Sequence, residues 1–138
     1  MESNDYLFVY GTLRKGYDSP VKDQVAACLK WIGQAKVKAV LYDMGTFPGA
    51  IKSSGMNEVL GDVYQVNDPK NIFKLLDRYE GCVEGDPEKS DYIRVKTNVQ
   101  MNNGKKLSVW IYWCNLDLEG KPVIKNKDYL RYLKKKSG

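Results

Sequence analysis

The chain has 138 residues, with 22 Lys/Arg, 17 Asp/Glu, no histidine and a formal net charge of +5, a length that suits one domain spanning residues 1–138 with one real core. No run of about 18 apolar residues is present to span a bilayer, and the polar, acidic start Met1-Glu2-Ser3-Asn4-Asp5 does not resemble a secretory signal, so a soluble cytoplasmic protein without a membrane partner is expected. The lack of histidine rules out Ser-His-Asp and Cys-His catalysis and disfavours zinc, leaving Glu, Asp, Lys, Tyr or Cys to move protons.

Three widely spaced cysteines, Cys28, Cys82 and Cys114, suit free thiols better than a disulfide framework or a metal site. The charge is uneven. Residues 121–138 carry seven Lys/Arg against one Asp, while residues 1–120 carry 15 against 16. The excess therefore sits in a basic tail at about 131–138, Arg131-Tyr132-Leu133-Lys134-Lys135-Lys136, which reads first as a solvated helix end whose cations suit the helix dipole. With a near-neutral body, nucleic acid is an unfavoured partner.

In chain order, Tyr6-Leu7-Phe8-Val9-Tyr10 is an apolar, aromatic run that reads as a buried strand broken by Gly11. A loop follows from Gly11 to Gly16. It has the glycine spacing of a Walker loop but continues into Tyr17-Asp18 instead of Lys-Ser/Thr, so it is no nucleotide site. Its unpaired N–H groups could form an oxyanion nest, or the turn could serve only to reverse the chain.

A short helix over 21–31 would present Val25, Cys28 and Leu29. Ala35, Val37, Ala39 and Leu41 alternate with Lys36, Lys38 and Val40, a half-buried strand over 34–42. Turns at 43–45 and 47–49 surround a short strand, and a further strand over 59–66 contains Gly61, a mark of close backbone approach or a bulge.

Asp68-Pro69 then signals a helix start, with Asp68 as the cap, and Gly81 signals a left-handed stop, giving a helix over 69–80. The polar, turn-rich stretch 82–91 follows as a loop, well placed to act as a lid. Alternation over 92–101 and 106–114 around Asn102-Asn103-Gly104 predicts a hairpin. A short basic helix is expected over 127–135. About six mostly antiparallel strands with few helices point to an α+β fold, a small and strongly curved mixed β-sheet or barrel, over a doubly wound one.

Glu80 is the odd residue of the central helix. Stepping about 100° per residue sets it between Leu76 and Phe73 on the apolar face, while Lys74 and Arg78 occupy the wet side. Burial and the negative end of the helix dipole would both raise its pKa toward neutrality, as a proton-transfer group requires. Fraying of the last turn, letting Glu80 swing into water, is the alternative. Cys82 stands two residues away but has no base in sight to activate it as a nucleophile.

Taken together, Tyr10-Gly11-Thr12-Leu13-Arg14-Lys15-Gly16, Gly61-Asp62-Val63-Tyr64, Leu76-Asp77-Arg78-Tyr79-Glu80-Gly81 and Tyr92-Ile93-Arg94 resemble the γ-glutamyl cyclotransferase-like family, and within it the γ-glutamylamine cyclotransferase branch. The resemblance spans nearly the whole chain. It implies a small barrel flanked by helices, with Glu80 as catalytic acid/base and Tyr10, Gly11, Thr12, Leu13 and Tyr92 lining a substrate pocket. It also implies a small-molecule γ-glutamyl substrate and no cofactor or metal. The implied reaction is attack of the substrate's own α-amine on its γ-amide, giving 5-oxoproline and a free amine; a non-catalytic binding module of the same fold is the alternative. The chain departs from the family pattern at Tyr17-Asp18-Ser19-Pro20, where a polar Asn or His is common, and at Lys127 before Asp128-Tyr129, where Gly is usual.

Overall fold

A computed structural model describes residues 5–11, 13–15 and 20–137. Among these residues, seven strands form one sheet system: β1 (Tyr6–Val9), β2 (Leu29–Asp43), β3 (Pro48–Lys52), β4 (Glu58–Val66), β5 (Tyr92–Met101), β6 (Lys106–Cys114) and β7 (Val123–Ile124). Three α-helices of the described residues accompany them, α1 (Pro20–Val25), α2 (Pro69–Glu80) and α3 (Tyr129–Ser137).

Five strands close a mixed barrel in the order β2-β4-β1-β6-β5, shut by β5 returning to β2 through Ala35–Met101 and Lys36–Gln100. β1 is antiparallel to β4, with Phe8 opposite Val63, and parallel to β6, with Leu7 opposite Trp110. Closure removes the open edges that a flat sheet would expose. β3 and β7 are additional and pair with the far half of β2.

Strand alternation fills the interior. Ala35, Val37, Ala39 and Leu41 of β2 pack inward with Phe8, Val63, Val109 and Ile111, each large side chain contributing about 2 kcal/mol on burial. Gly61 of β4 permits the closest approach, because a Cβ there would run into the Val9 carbonyl and the Phe8 ring. A second apolar cluster joins the outer face of the barrel to α1 and α2 through Leu7, Val9, Val25, Ile72, Phe73 and Leu76.

Several sequence expectations shift. The helix expected over 21–31 ends at Val25 and passes through a 3-10 turn, Ala26–Cys28. Leu29, Lys30 and Trp31 instead pair with Val66, Gln65 and Tyr64 of β4, so ladder hydrogen bonds override a weak local helical pattern. Asp68 precedes α2 in a left-handed conformation, φ 55°, and its carboxylate accepts from Asn71 Nδ2 instead of capping the helix. The basic helix expected over 127–135 is present as Tyr129–Ser137; Tyr129 is 1% exposed, and Lys136 pairs with Asp43 at 2.8 Å. No helix among the described residues is long and apolar enough to cross a membrane.

Candidate active site

The C-terminal turn of α2 is fixed by Gly81. Its φ of 69° admits the left-handed turn in which Gly81 N–H donates to the Arg78 carbonyl and Cys82 N–H to the Asp77 carbonyl, the latter at 2.7 Å. Asp91 closes the other side: its N–H donates to the Gly81 carbonyl, and its carboxylate lies where a Gly81 Cβ would be. The last turn therefore does not fray, and Glu80 stays on the apolar side with Ile72, Phe73 and Leu76.

There Glu80 borders a cavity of about 300 Å³, at the small end of ligand sites. Tyr10, Gly11, Leu13, Tyr92 and Tyr112 share the wall. Among the described residues the Glu80 carboxylate has no hydrogen-bond or ion-pair partner. Burial first and the neighbouring Asp77 charge second push its pKa from 4.5 up to about 7.

The phenols around it are firmly held. Tyr10 donates to the Tyr112 carbonyl at 2.6 Å and accepts from Ala50 N–H at 3.4 Å. Tyr92 donates to the Pro48 carbonyl at 2.6 Å. Burial raises the pKa of Tyr10, Tyr92 and Tyr112 above the usual phenolic 10, so all three are neutral at physiological pH. Burial likewise raises the Cys114 thiol, which disfavours a thiolate at the site. Glu80 is the group near the cavity with a pKa matched to neutral proton transfer.

The turn after β1 is clamped from outside the cavity. Arg14 N–H donates to the Gly11 carbonyl, Tyr64 Oη to the Leu13 carbonyl and Lys22 Nζ to the Arg14 carbonyl. The Arg14 guanidinium, 3% exposed, pairs with Asp62 at 3.0 Å and Asp128 at 2.7 Å. Asp62 also accepts from Lys15 N–H and Trp31 Nε1. Three carbonyls of the turn, those of Gly11, Leu13 and Arg14, thus have protein donors.

Of the expected site residues, Glu80, Tyr10, Gly11, Leu13 and Tyr92 meet at one cavity; Thr12 lies outside the described residues. The sequence reading did not assign roles to Asp77, Arg94 and Tyr112. Asp77 receives two hydrogen bonds from Arg94, at 2.8 and 3.1 Å, and one from Tyr112 Oη at 2.6 Å. The Arg94 guanidinium lies over the Phe73 and Trp110 rings. Only the i, i+3 spacing of Asp77 and Glu80 could have flagged this support. The stretch 82–91, expected as a lid, is tied down: Ser90 is buried and bonds Val83 and Asp86, while Asn115 Nδ2 donates to Pro87 and Ser90 carbonyls. Of its residues, Asp91 lines the cavity.

A family profile described as gamma-glutamyl cyclotransferase, AIG2-like, matches residues 7–131. The chain belongs to this family. Within the gamma-glutamyl cyclotransferase-like group, a Methanocaldococcus jannaschii protein named "Putative gamma-glutamylcyclotransferase MJ1514" is 31% identical over 111 residues, covering 79% of this chain and 83% of that protein. Solved structures share the fold. An AIG2-like protein from mouse aligns with TM-score 0.69 at 21% identity, covering 90% of this chain and 88% of its own. An uncharacterized Pyrococcus horikoshii protein aligns with TM-score 0.65 at 22% identity, covering 96% of both chains. The closed mixed barrel flanked by helices is thus the gamma-glutamyl cyclotransferase-like fold, as the sequence motifs implied.

Proposed function

We propose that this protein is a cytoplasmic, single-domain γ-glutamylamine cyclotransferase that converts a γ-glutamyl amide to 5-oxoproline and a free amine, without a cofactor. The observation that carries this reading is Glu80, an ion-pair-free carboxyl group with a pKa near 7 in a small cavity beside the Tyr10–Leu13 turn.

Both reactants belong to one molecule. A cavity that folds the glutamyl chain so that its α-amine meets its γ-carbonyl exploits an intramolecular advantage of about 10⁵ M or more in effective molarity. The α-ammonium first gives a proton to water. As the neutral nitrogen bonds to the carbonyl carbon, Glu80 takes the proton that the nitrogen sheds. The tetrahedral intermediate then collapses, the carbon–amine bond breaks, and Glu80 returns the proton to the departing nitrogen, which gains its second from water. The carboxyl group ends in the state in which it began.

The raised pKa of Glu80 suits this cycle. An ordinary carboxylate of pKa about 4.3 is a weak base toward the nitrogen that sheds its proton on attack; a carboxylate raised to about 7 is a stronger one. The N–H groups of the Gly11, Thr12 and Leu13 turn are assigned to the oxyanion, which such donors stabilise by about 3 kcal/mol each. Tyr10 and Tyr92 are assigned to substrate binding as neutral walls, their hydroxyls already engaged by the protein.

A panel of γ-glutamyl amines incubated with the purified protein and assayed for 5-oxoproline tests the reading. Product release supports it. Saturable binding of the same compounds without product would instead favour a non-catalytic module of this fold.

A further inference from the structure

A second cavity, of about 550 Å³, shares no lining residue with the one at Glu80 among the described residues, and Asp62 of the Arg14 clamp forms part of its wall. An irregularity in β2 shapes it. The ladder with β4 pairs Trp31 with Tyr64 and Gly33 with Val63, so Ile32 is the extra residue of a β-bulge. A bulge disrupts ladder pairing and re-aims side chains. Neighbours in a regular strand take opposite faces, yet here Trp31 and Ile32 both reach solvent, at 40% and 39% exposure, and neither belongs to the two apolar clusters of the core. Met101 of β5 completes the apolar wall over Gly33, where an added Cβ would stand 3.3 Å from the Met101 methyl.

The polar groups around this wall are mostly donors. Trp31 Nε1–H donates to Asp62 Oδ1 and Lys15 N–H to Asp62 Oδ2, each at 3.0 Å, which fixes both residues at the rim. Asp62 also accepts from Arg14 Nε and is 2% exposed, so its charge is spent within the protein. The Lys15 ammonium lies over the Trp31 ring, 3.8 Å from its centroid, and has no carboxylate partner among the described residues. Gln34 Oε1 accepts from Asn102 Nδ2 at 3.5 Å, and Asn103 Oδ1 accepts from Lys105 N–H at 2.9 Å. With their oxygens engaged, the Gln34 and Asn103 amides keep N–H groups to offer.

We propose that this cavity is a second ligand site, separate from the catalytic one, and that it takes a small aromatic anion: a flat ring against Trp31, Ile32 and Met101, and a carboxylate or phosphate on Lys15 and the Gln34 and Asn103 amides. Binding here is independent of the reaction at Glu80. Neither half suffices alone. An exposed ion pair is worth only a few-fold in affinity, and a bare anion leaves the apolar wall wet. A cationic ring meets the Lys15 ammonium, with no unspent carboxylate in the wall to offset it.

Titration of the folded protein with phenylacetate and with adenosine monophosphate tests this, the two probes standing for an aromatic carboxylate and an aromatic phosphate. The readout is the Trp31 indole N–H signal in an N–H correlation spectrum, identified among the three tryptophans as the one lost in Trp31→Phe. A saturable shift by either probe is expected, and the tighter of the two identifies the source of the anion. Adenosine monophosphate should bind about threefold or more tighter than adenosine, which lacks the charge, and about tenfold tighter than inorganic phosphate, which lacks the ring. Phenylacetate should bind more tightly than benzylamine. Lys15→Gln, which keeps the backbone N–H on Asp62, should erase the advantage over adenosine, and Ile32→Thr should shrink the advantage over phosphate. No saturable shift by either probe overturns the proposal. Inorganic phosphate binding as tightly as adenosine monophosphate, or affinities unchanged in both variants, overturns it equally.

Discussion

Asp77 precedes Glu80 by three residues on α2, and its charge, held by Arg94 and Tyr112, is the second cause of Glu80's raised pKa after burial. The helix thus supplies both the proposed acid/base and a fixed like charge that makes it more basic. Tyr112 extends the arrangement, since its hydroxyl donates to Asp77 while its carbonyl receives the Tyr10 hydroxyl.

The pH profile of kcat/KM should therefore rise through two ionisations, that of the substrate's α-amine at about 8 and one with a midpoint near 7, as Glu80 becomes the carboxylate that accepts the proton. Asp77→Asn should move that midpoint to lower pH, though not as far as 4.5, because burial remains the larger cause. Asp91, Tyr10, Tyr92 and Tyr112 also face the cavity, but the phenols stay neutral throughout this range. An unchanged midpoint in Asp77→Asn would show that its charge does not reach Glu80.

Glu80 should also cost stability as it ionises. Its folded pKa of about 7 exceeds its ordinary 4.5, so the folded chain binds the proton more tightly and is favoured at low pH. That advantage is lost as pH rises from about 4.5 to 7 and is flat above. Glu80→Gln should accordingly gain about 1–3 kcal/mol relative to wild type above pH 7 and little below pH 4.5. Urea unfolding at pH 5 and pH 8 measures the difference.

Arg14→Met should lose about 3–5 kcal/mol, because it leaves the Asp62 carboxylate buried without its cation. The turn it supports should loosen as well, raising KM in whatever fraction stays folded. A loss under 1 kcal/mol in urea unfolding would mean that Lys15 N–H and Trp31 Nε1 suffice for Asp62.

Two glycines should respond differently. Gly61→Ala drives a methyl into the Phe8 ring and the Val9 carbonyl, with a stability loss of about 1–3 kcal/mol or more seen as a lower Tm. At Gly11 a Cβ meets the Pro48 Cγ at 2.8 Å, on the residue whose carbonyl holds Tyr92. Gly11→Val should chiefly raise KM and lower kcat, and unchanged kinetics would reduce that turn to a chain reversal.

The parts of this arrangement legible in the sequence are the local ones. Alternation in β2, the hairpin of β5 and β6, the α2 boundaries at Pro69 and Gly81, and the apolar-face position of Glu80 all follow from patterns a few residues long. What stayed hidden depends on pairings between distant residues. Arg14 meets Asp62 and Asp128 across 48 and 114 positions, and Arg94 meets Asp77 across 17. The same non-local pairing takes Leu29 to Trp31 from an expected helix into β2. Asp91, in a polar loop, carried no local sign that its carboxylate would sit against Gly81.

Whether Glu80 moves the proton of an intramolecular cyclisation is decided by 5-oxoproline release from γ-glutamyl amines, comparing wild type with Glu80→Gln at pH 7.5. Gln keeps the shape and cannot exchange a proton, so the variant should fold and bind substrate while its kcat falls by about 10²–10⁴. Undiminished 5-oxoproline release by Glu80→Gln would contradict that proton transfer.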